Sequence, residues 1–160
     1  MNSFQGAGPV LTPRLIAAVG SQRDRYQTAH ELPCYSGIAP VVVSSGKQRR
    51  VPWRWSCPKF LRQTFHEFAF CSLQKSVWAQ AYYKLQRDKK KSHHAAVRAL
   101  AYKWIRILYR CWKDGKPYDE QTYLENLQKR NSPLRDGLAS ATGKKWKPVS
   151  GLHKISENFS

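Results

Sequence analysis

The stretch from Ser92 to Lys113 constrains the fold more than any other part of the chain. Val97, Leu100, Ala101, Trp104, Ile105, Leu108 and Trp112 recur at spacings of three and four, which is the pattern of a helix with one broad apolar face. Ser92 stands where an N-cap oxygen is needed, and Asp114-Gly115-Lys116-Pro117 interrupts the pattern. A helix of this length with two tryptophans on one side has to bury that side against other helices. The predicted fold is therefore mainly α, with this helix as the spine of a bundle. Its other side carries Lys103, Arg106, Arg110 and Lys113 at spacings of 3, 4 and 3. Such a stripe can follow a phosphate backbone, although a merely solvated face produces the same pattern.

Composition decides how that stripe is read. The 160 residues include 28 Lys+Arg against 10 Asp+Glu, a formal charge of +18. Like charges at this density oppose compaction and point to a polyanionic partner. Six Trp, eight Tyr and six Phe interleave with the basic residues, which favours nucleic acid over an anionic membrane surface. No run approaches the roughly 20 apolar residues of a membrane span. The amino terminus lacks a basic segment followed by an apolar run and a cleavage site, so the expected location is the cytoplasm, with no membrane association. Cys34, Cys57, Cys71 and Cys111 form no CxxC pair, and neighbouring His93 and His94 diverge by about 100° on a helix. Reduced, mostly packed thiols and no metal site are the reading.

Three regions precede a tail. Residues 1–40 read as a glycine turn, Gly6-Ala7-Gly8-Pro9, and two short helices. The first has Leu11, Leu15, Ile16 and Val19 at helical spacing and ends at Gly20 in a left-handed cap. The second is capped by Thr28 with Glu31 completing a capping box, and stops at Gly37 and Pro40. Residues 41–56 read as a loop or small hairpin: Val41-Val42-Val43, then Ser44-Ser45-Gly46, then Lys47, Arg49 and Arg50. Residues 57–130 read as the bundle. One helix begins near Ser56 or Cys57, with Pro58 in its first turn and Phe60, Leu61, Phe65 and Phe68 as a stripe. A second is capped by Ser76, the long helix follows, and a last one runs from Asp119 to about Lys129. Residues 131–160, basic and without periodicity, are expected to be a mobile tail.

Several of these segments, in order, resemble a known family. Gln5-Gly6-Ala7-Gly8-Pro9 with Thr12-Pro13-Arg14-Leu15-Ile16 looks like a helix-hairpin-helix entry. Tyr35-Ser36-Gly37-Ile38-Ala39-Pro40 leading to Ser44-Ser45-Gly46-Lys47 resembles the family's short glycine-apolar-x-proline and Ser-Gly signature, with Ile38 in the usual leucine place. Cys57-Pro58-Lys59-Phe60-Leu61-Arg62 follows, then a tyrosine-bearing helix at Ala79–Tyr83, the basic turn Lys90-Lys91, and the alanine-rich start of the long helix. Together, over roughly residues 4–127, they resemble the carboxy-terminal domain of insertion-sequence transposases that pair a RuvC-like DEDD domain with a later catalytic serine, the bridge-RNA-guided recombinases.

The resemblance implies a DNA recombinase part, with Ser45 as its nucleophile and Ser44 as the alternative one residue away. It implies DNA as partner, structured guide RNA as a further one, and either homo-oligomers or a complex with a RuvC-like domain. Gly6, Gly8 and Arg14 at the glycine turn, Lys47, Arg49, Arg50, Lys59 and Arg62 around the serine segment, and Lys103, Arg106 and Arg110 on the long helix are the candidate nucleic-acid contacts. Backbone N–H groups in a glycine turn can approach a phosphate, and the following helix start attracts an anion. No DEDD pattern occurs among the ten acidic residues, so divalent metal, Mg²⁺, is expected only with a separate RuvC-like domain. On this basis the chain is expected to be a truncated or split form, and its status as an enzyme by itself stays open. A catalytically inert basic module that binds DNA or RNA is the alternative.

Overall fold

The computed structural model describes residues 4, 6–41, 43–46, 48–50, 54, 56–130, 132–134 and 138. Among the described residues six helices and one hairpin follow in the order α1 (Leu11–Val19), α2 (Glu31–Tyr35), β1 (Val43–Ser45), β2 (Gln48–Arg50), α3 (Lys59–Ser72), α4 (Val77–Asp88), α5 (His93–Asp114) and α6 (Glu120–Lys129). The mainly α expectation holds, and α5 is the spine: α2, α3 and α4 all pack on it, and α1 packs on α3. At 22 residues α5 extends about 33 Å.

Both ends of α5 are set by local chemistry. The Ser92 side chain accepts a hydrogen bond from the Ala95 N–H, as an N-cap should. At the other end Gly115 takes the left-handed conformation, with its N–H directed to Trp112 O and the Lys116 N–H to Cys111 O. That pair of bonds is a Schellman closure. Asp119 likewise caps α6 by accepting from the Gln121 and Thr122 N–H groups. Ser76 occupies the N-cap position of α4, but its hydroxyl makes no cap bond. It donates to Glu120 Oε1 at 2.5 Å and ties α4 to the start of α6.

Val97, Leu100, Ala101, Trp104, Ile105 and Leu108 are fully buried. Trp104 sits among four rings, with centroids 4.6 Å from Trp78, 5.1 Å from Phe68, 5.3 Å from Tyr118 and 6.0 Å from Phe4. Its indole N–H donates to Ser72 Oγ at 2.8 Å, and that hydroxyl donates to Ala69 O at 2.7 Å. Trp78 donates to the Tyr118 hydroxyl at 2.8 Å. Each buried indole N–H therefore has an acceptor, which burial requires.

Several sequence expectations shift at this level. Ile16 is 52% and Phe60 49% exposed, because α1 buries Leu11, Leu15, Ala18 and Val19 while α3 buries Leu61, Thr64, Phe65, Phe68, Ala69 and Ser72. Phe60, in the first turn of α3, lies outside that face. Pro58 is the extended residue just before α3 rather than part of its first turn. Gly20 has a positive φ but an extended ψ of 179°, so it ends α1 without a left-handed helical cap. Half of the expected capping box forms: the Glu31 carboxylate accepts from the Thr28 N–H, while α2 begins at Glu31 without a side-chain cap. Beyond α6, Leu134 is buried and Leu138 packs against the core, so the chain stays on the bundle past Asn131. Most of the expected 131–160 tail lies outside the described residues.

Gly6 is needed for packing. Its φ is +95°, and a Cβ there would stand 2.8 Å from the backbone N and Cα of Ser72. At Gly8 a Cβ would meet nothing within 4 Å. Gly6→Ala is expected to destabilise the chain by about 2 kcal/mol or more, from backbone strain and overpacking. Gly8→Ala should stay within about 0.5 kcal/mol of the parent. Urea denaturation of the two variants separates a packing turn from one that is only exposed.

Burial in the α3–α5 contact also sets a pH dependence. Desolvation, then the charges of His94 and His93, with Arg98 contributing, pull the His66 pKa from 6.5 down to about 4. The folded state therefore prefers the neutral ring, and this contribution is complete above pH 6.5. As pH falls from 6.5 to 4 the unfolded chain takes up the proton first, and stability is lost by about 3 kcal/mol. Denaturation measured across that window should show the slope, and His66→Gln should flatten it.

Candidate nucleic-acid interface and serine hairpin

Of the expected loop or small hairpin at 41–56, the described strands β1 and β2 form a hairpin. β1 and β2 pair antiparallel with Val43 opposite Arg50, Ser44 opposite Arg49 and Ser45 opposite Gln48. Gly46, after the last residue of β1, has φ +56°, as a tight hairpin turn favours. Ser44 and Ser45 are both exposed. Successive strand residues face opposite ways, so the two hydroxyls fall on opposite faces of the ribbon. The register puts position 50 on the Ser45 face and position 49 on the Ser44 face. Lys47 lies outside the described residues, and Arg49 and Arg50 are described in backbone only.

The base of this excursion is closed by a glycine and a cysteine. Gly37 has φ +72°, and a Cβ on it would be 2.4 Å from Cys57 Sγ. No other residue type fits that approach. The Cys57 thiol points to Arg54 O at 3.3 Å, and Arg62 Nη1 donates to the same carbonyl at 3.4 Å. On the incoming side Ile38 and Ala39 are buried, and both N–H groups bond to Pro33 O. The strand-bearing segment thus leaves the bundle and returns to it at one point, with Cys57 packed on Gly37.

A second surface lies along α5. Of the four basic residues in the expected stripe, Arg106, Arg110 and Lys113 are exposed. Lys103 is packed instead: its Nζ lies 4.7 Å from the Tyr82 ring centroid, and burial, with the charge of Arg106, lowers its pKa. The stripe is completed from elsewhere in the sequence. Trp112 Nε1–H donates to Gly20 O at 3.0 Å, and the Tyr109 hydroxyl lies 2.9 Å from Gln27 O and 3.1 Å from Tyr26 O. These bonds lay the 20–30 segment along the C-terminal half of α5. Lys113 Nζ donates to Arg23 O at 3.1 Å, and Arg25 lies 5.3 Å from the centroids of both Tyr26 and Tyr35. Exposed Arg23 and Arg25 thereby join the basic face. Sequence reading missed both, because nothing in their spacing shows that this polar loop docks on α5. Asp24, Glu31 and Asp114 are carboxylates in or beside the same two segments; Glu31 bonds within its own loop. Its pKa is lowered first by the Gln27 N–H and then by Thr28, with Lys113 contributing.

The glycine-turn residues have other occupations. Gly6 packs on Ser72, and Arg14 pairs with Glu67 at 2.5 Å while lying 5.3 Å from the centroid of the Phe60 ring. Gly8 is open. Lys59 is exposed in the first turn of α3, and Arg62 is half-buried beside Cys57. The structure therefore gathers Lys59 and Arg62 near the hairpin base and Arg106 and Arg110 on α5, while Gly6 and Arg14 have internal contacts.

All four cysteines are free and half-buried. Among the described residues no three His, Cys, Asp or Glu side chains converge so as to hold a metal ion. The divalent metal implied by the family resemblance thus finds no donor set in the described part of the chain. No described helix is long and apolar enough to cross a membrane.

A basic, mainly α chain with a clamped Ser-Ser-Gly hairpin can be set beside known proteins. Residues 1–84 match the family described as "Transposase IS116/IS110/IS902 family". The chain is 34% identical over 119 residues to the "Mini-circle putative transposase for IS117" of Streptomyces coelicolor, covering 74% of this chain and 29% of that protein. It is 28% identical over 123 residues to the "Insertion element IS900 uncharacterized 42 kDa protein" of Mycobacterium paratuberculosis, covering 75% and 30%. The "Insertion element IS110 uncharacterized 43.6 kDa protein" of Streptomyces coelicolor is 27% identical over 124 residues, covering 76% and 30%. The chain belongs to the IS116/IS110/IS902 transposase family. It spans less than a third of the length of these relatives.

Proposed function

We propose that this chain is the DNA-binding, serine-bearing part of an insertion-sequence recombinase, with Ser45 as the nucleophile and Ser44 as the alternative. The observation that carries the reading is the exposed Ser-Ser-Gly hairpin, clamped at its base to a bundle of strongly basic surface. In the step proposed, Ser45 Oγ attacks the phosphorus of a DNA phosphodiester. The P–O bond to one sugar oxygen breaks, that oxygen leaves as a hydroxyl carrying a proton, and the strand stays joined to the protein as a phosphoserine diester. Reversal by another strand's hydroxyl rejoins DNA without loss of bond energy. The attack needs help to ionise the serine and to neutralise charge on the phosphate. Lys47, Arg49 and Arg50 are the cations near enough in sequence for the second task. A RuvC-like domain supplying divalent metal, a structured RNA, self-association and work in the cytoplasm, where the DNA is, belong to the same proposal.

Ser45→Ala should abolish an SDS-resistant protein–DNA adduct, formed with a RuvC-like domain supplied, while leaving DNA binding unchanged. An undiminished adduct overturns the assignment to Ser45. Loss in Ser44→Ala alone moves the nucleophile to Ser44. No adduct from any form, with DNA bound normally, leaves the inert basic module as the function.

The α5 face makes a separate quantitative prediction. Replacing Arg106 and Arg110 with Gln should reduce the steepness of log K against log salt by about 2, one unit for each phosphate that is no longer neutralised. An unchanged slope in a DNA titration removes that face from the interface.

A further inference from the structure

Helix α2 has only five residues, yet it joins the α5 face to the base of the hairpin. At its start His30 Nδ1 lies 3.0 Å from the Tyr102 hydroxyl of α5, and the Arg106 guanidinium lies 6.0 Å from the centroid of the same Tyr102 ring. At its end Tyr35 lines a cleft of about 660 Å³, whose other lining residues include Ser56, Cys57 and Pro58 where the chain returns from the hairpin. A helix rises about 1.5 Å per residue, so the two ends are roughly 7 Å apart, about two base steps along a duplex strand. Tyr35 is 45% exposed, in contrast to buried Tyr26 beside it. The Arg25 guanidinium lies 5.3 Å from the centroids of both rings, and its Nη2 donates to the Tyr35 hydroxyl at 3.4 Å. Arg25 is itself exposed and forms no ion pair among the described residues. Its charge is therefore held in place by two rings and left open to an anion.

We propose that Tyr35 and Arg25 hold one unpaired nucleotide of the DNA strand on which the serine acts, with the base stacked on Tyr35 at the cleft and its phosphate on Arg25. The site so defined rests on the reading of this chain as the serine-bearing, DNA-binding part, and it names the state of the strand there. Strand exchange requires a cut end to leave one partner and pair with another, so bases beside the serine are unpaired for part of the reaction. A base out of its stack loses contacts that an aromatic face replaces, and every base has such a face, so this platform works on any sequence. Arg106 and Arg110 meet duplex and single strand alike through charge, and so cannot make that distinction. Tyr35 is also well anchored for the task. Two residues on, Gly37 is pressed so close to Cys57 that a Cβ would stand 2.4 Å from the sulfur, which fixes the end of α2 relative to the base of the hairpin.

Octathymidylate is a single strand that cannot pair with itself. Titrated into the full chain carrying isotope-labelled tyrosines, it should shift the Tyr35 ring resonances, which Tyr35→Phe identifies by their disappearance. Tyr35→Leu should weaken octathymidylate binding by about tenfold, the loss of one stacked base, while changing affinity for a short blunt-ended DNA duplex by less than about twofold. Tyr35→Phe, which keeps the ring, should bind octathymidylate as the parent does. Equal losses for single strand and duplex in Tyr35→Leu are what a merely structural tyrosine would produce, and overturn the platform. Arg25→Gln should lower the slope of log K against log salt for octathymidylate by about 0.7, the value for one phosphate of a single strand. An unchanged slope overturns the phosphate contact. The wild-type ring shifts read the site even where Tyr35→Leu does not fold. Duplex binding with no shift at Tyr35 on adding octathymidylate sinks the platform alone and leaves the DNA-binding reading standing. No affinity for either form of DNA overturns both. Octauridylate run in parallel checks the strand: Tyr35 shifts with it and none with octathymidylate would give the site to RNA and overturn the assignment to DNA.

Discussion

The Trp104–Ser72 hydrogen bond is the contact on which the rest of the structure depends. It joins the centre of α5 to the last turn of α3, and the same Ser72 backbone receives Gly6 at a distance that leaves no room for a Cβ. Phe4 stacks on Tyr118 and meets Trp104 and Phe68 edge-on, so the amino-terminal turn and the segment before α6 close on the same ring cluster. Burying an indole and its N–H together is favourable only where an acceptor is built in, and Ser72 is that acceptor. Because the Ser72 hydroxyl in turn donates a hydrogen bond to Ala69 O, the chain of donors ends on the backbone and no polar atom of this set is stranded.

From that centre the molecule presents two different surfaces. The hairpin is made of short strands and leaves the bundle between Ala39 and Cys57, so its position is fixed by its base rather than by its own pairing. The basic face of α5 is rigid along its length and gains Arg23 and Arg25 only because Trp112 and Tyr109 hold the preceding loop against the helix. On the function proposed, a serine that meets different phosphates during strand exchange suits the first kind of support. Holding a duplex in register suits the second. Lys103 marks the boundary between packing and surface: it lies at the right spacing for the stripe, yet its ammonium covers Tyr82.

Much of this is legible in the sequence where local chemistry decides the outcome. Ser92, Asp119 and Gly115 mark helix ends through side-chain oxygens and a left-handed glycine, and the structure uses them so. The apolar face of α5 is readable because seven residues share one period. Phe60 and Ile16 mislead because a single apolar residue at helical spacing does not show where the partner helix ends. Ser76 does stand at a cap position, but its hydroxyl bonds to Glu120, 44 residues away, which no local rule contains. The same holds for the candidate site. The Ser-Ser-Gly turn is visible, as is the basic stripe, but the Gly37–Cys57 clamp and the docking of Arg23 and Arg25 are long-range contacts. Gly6 resembles a phosphate-binding glycine because a turn packed against backbone and a turn open to an anion require the same residue.

On the function proposed, nucleic acid meets this chain on the hairpin and the α5 face, while Gly6 of the glycine turn serves the core. Photo-crosslinking of the chain to bromouracil-substituted duplex DNA, with the attached peptides mapped by mass spectrometry, tests that division directly. Crosslinked peptides should come from the hairpin, residues 43–50, and from Tyr102–Lys113. Crosslinks confined to residues 6–20, with none on the hairpin or α5, would contradict it.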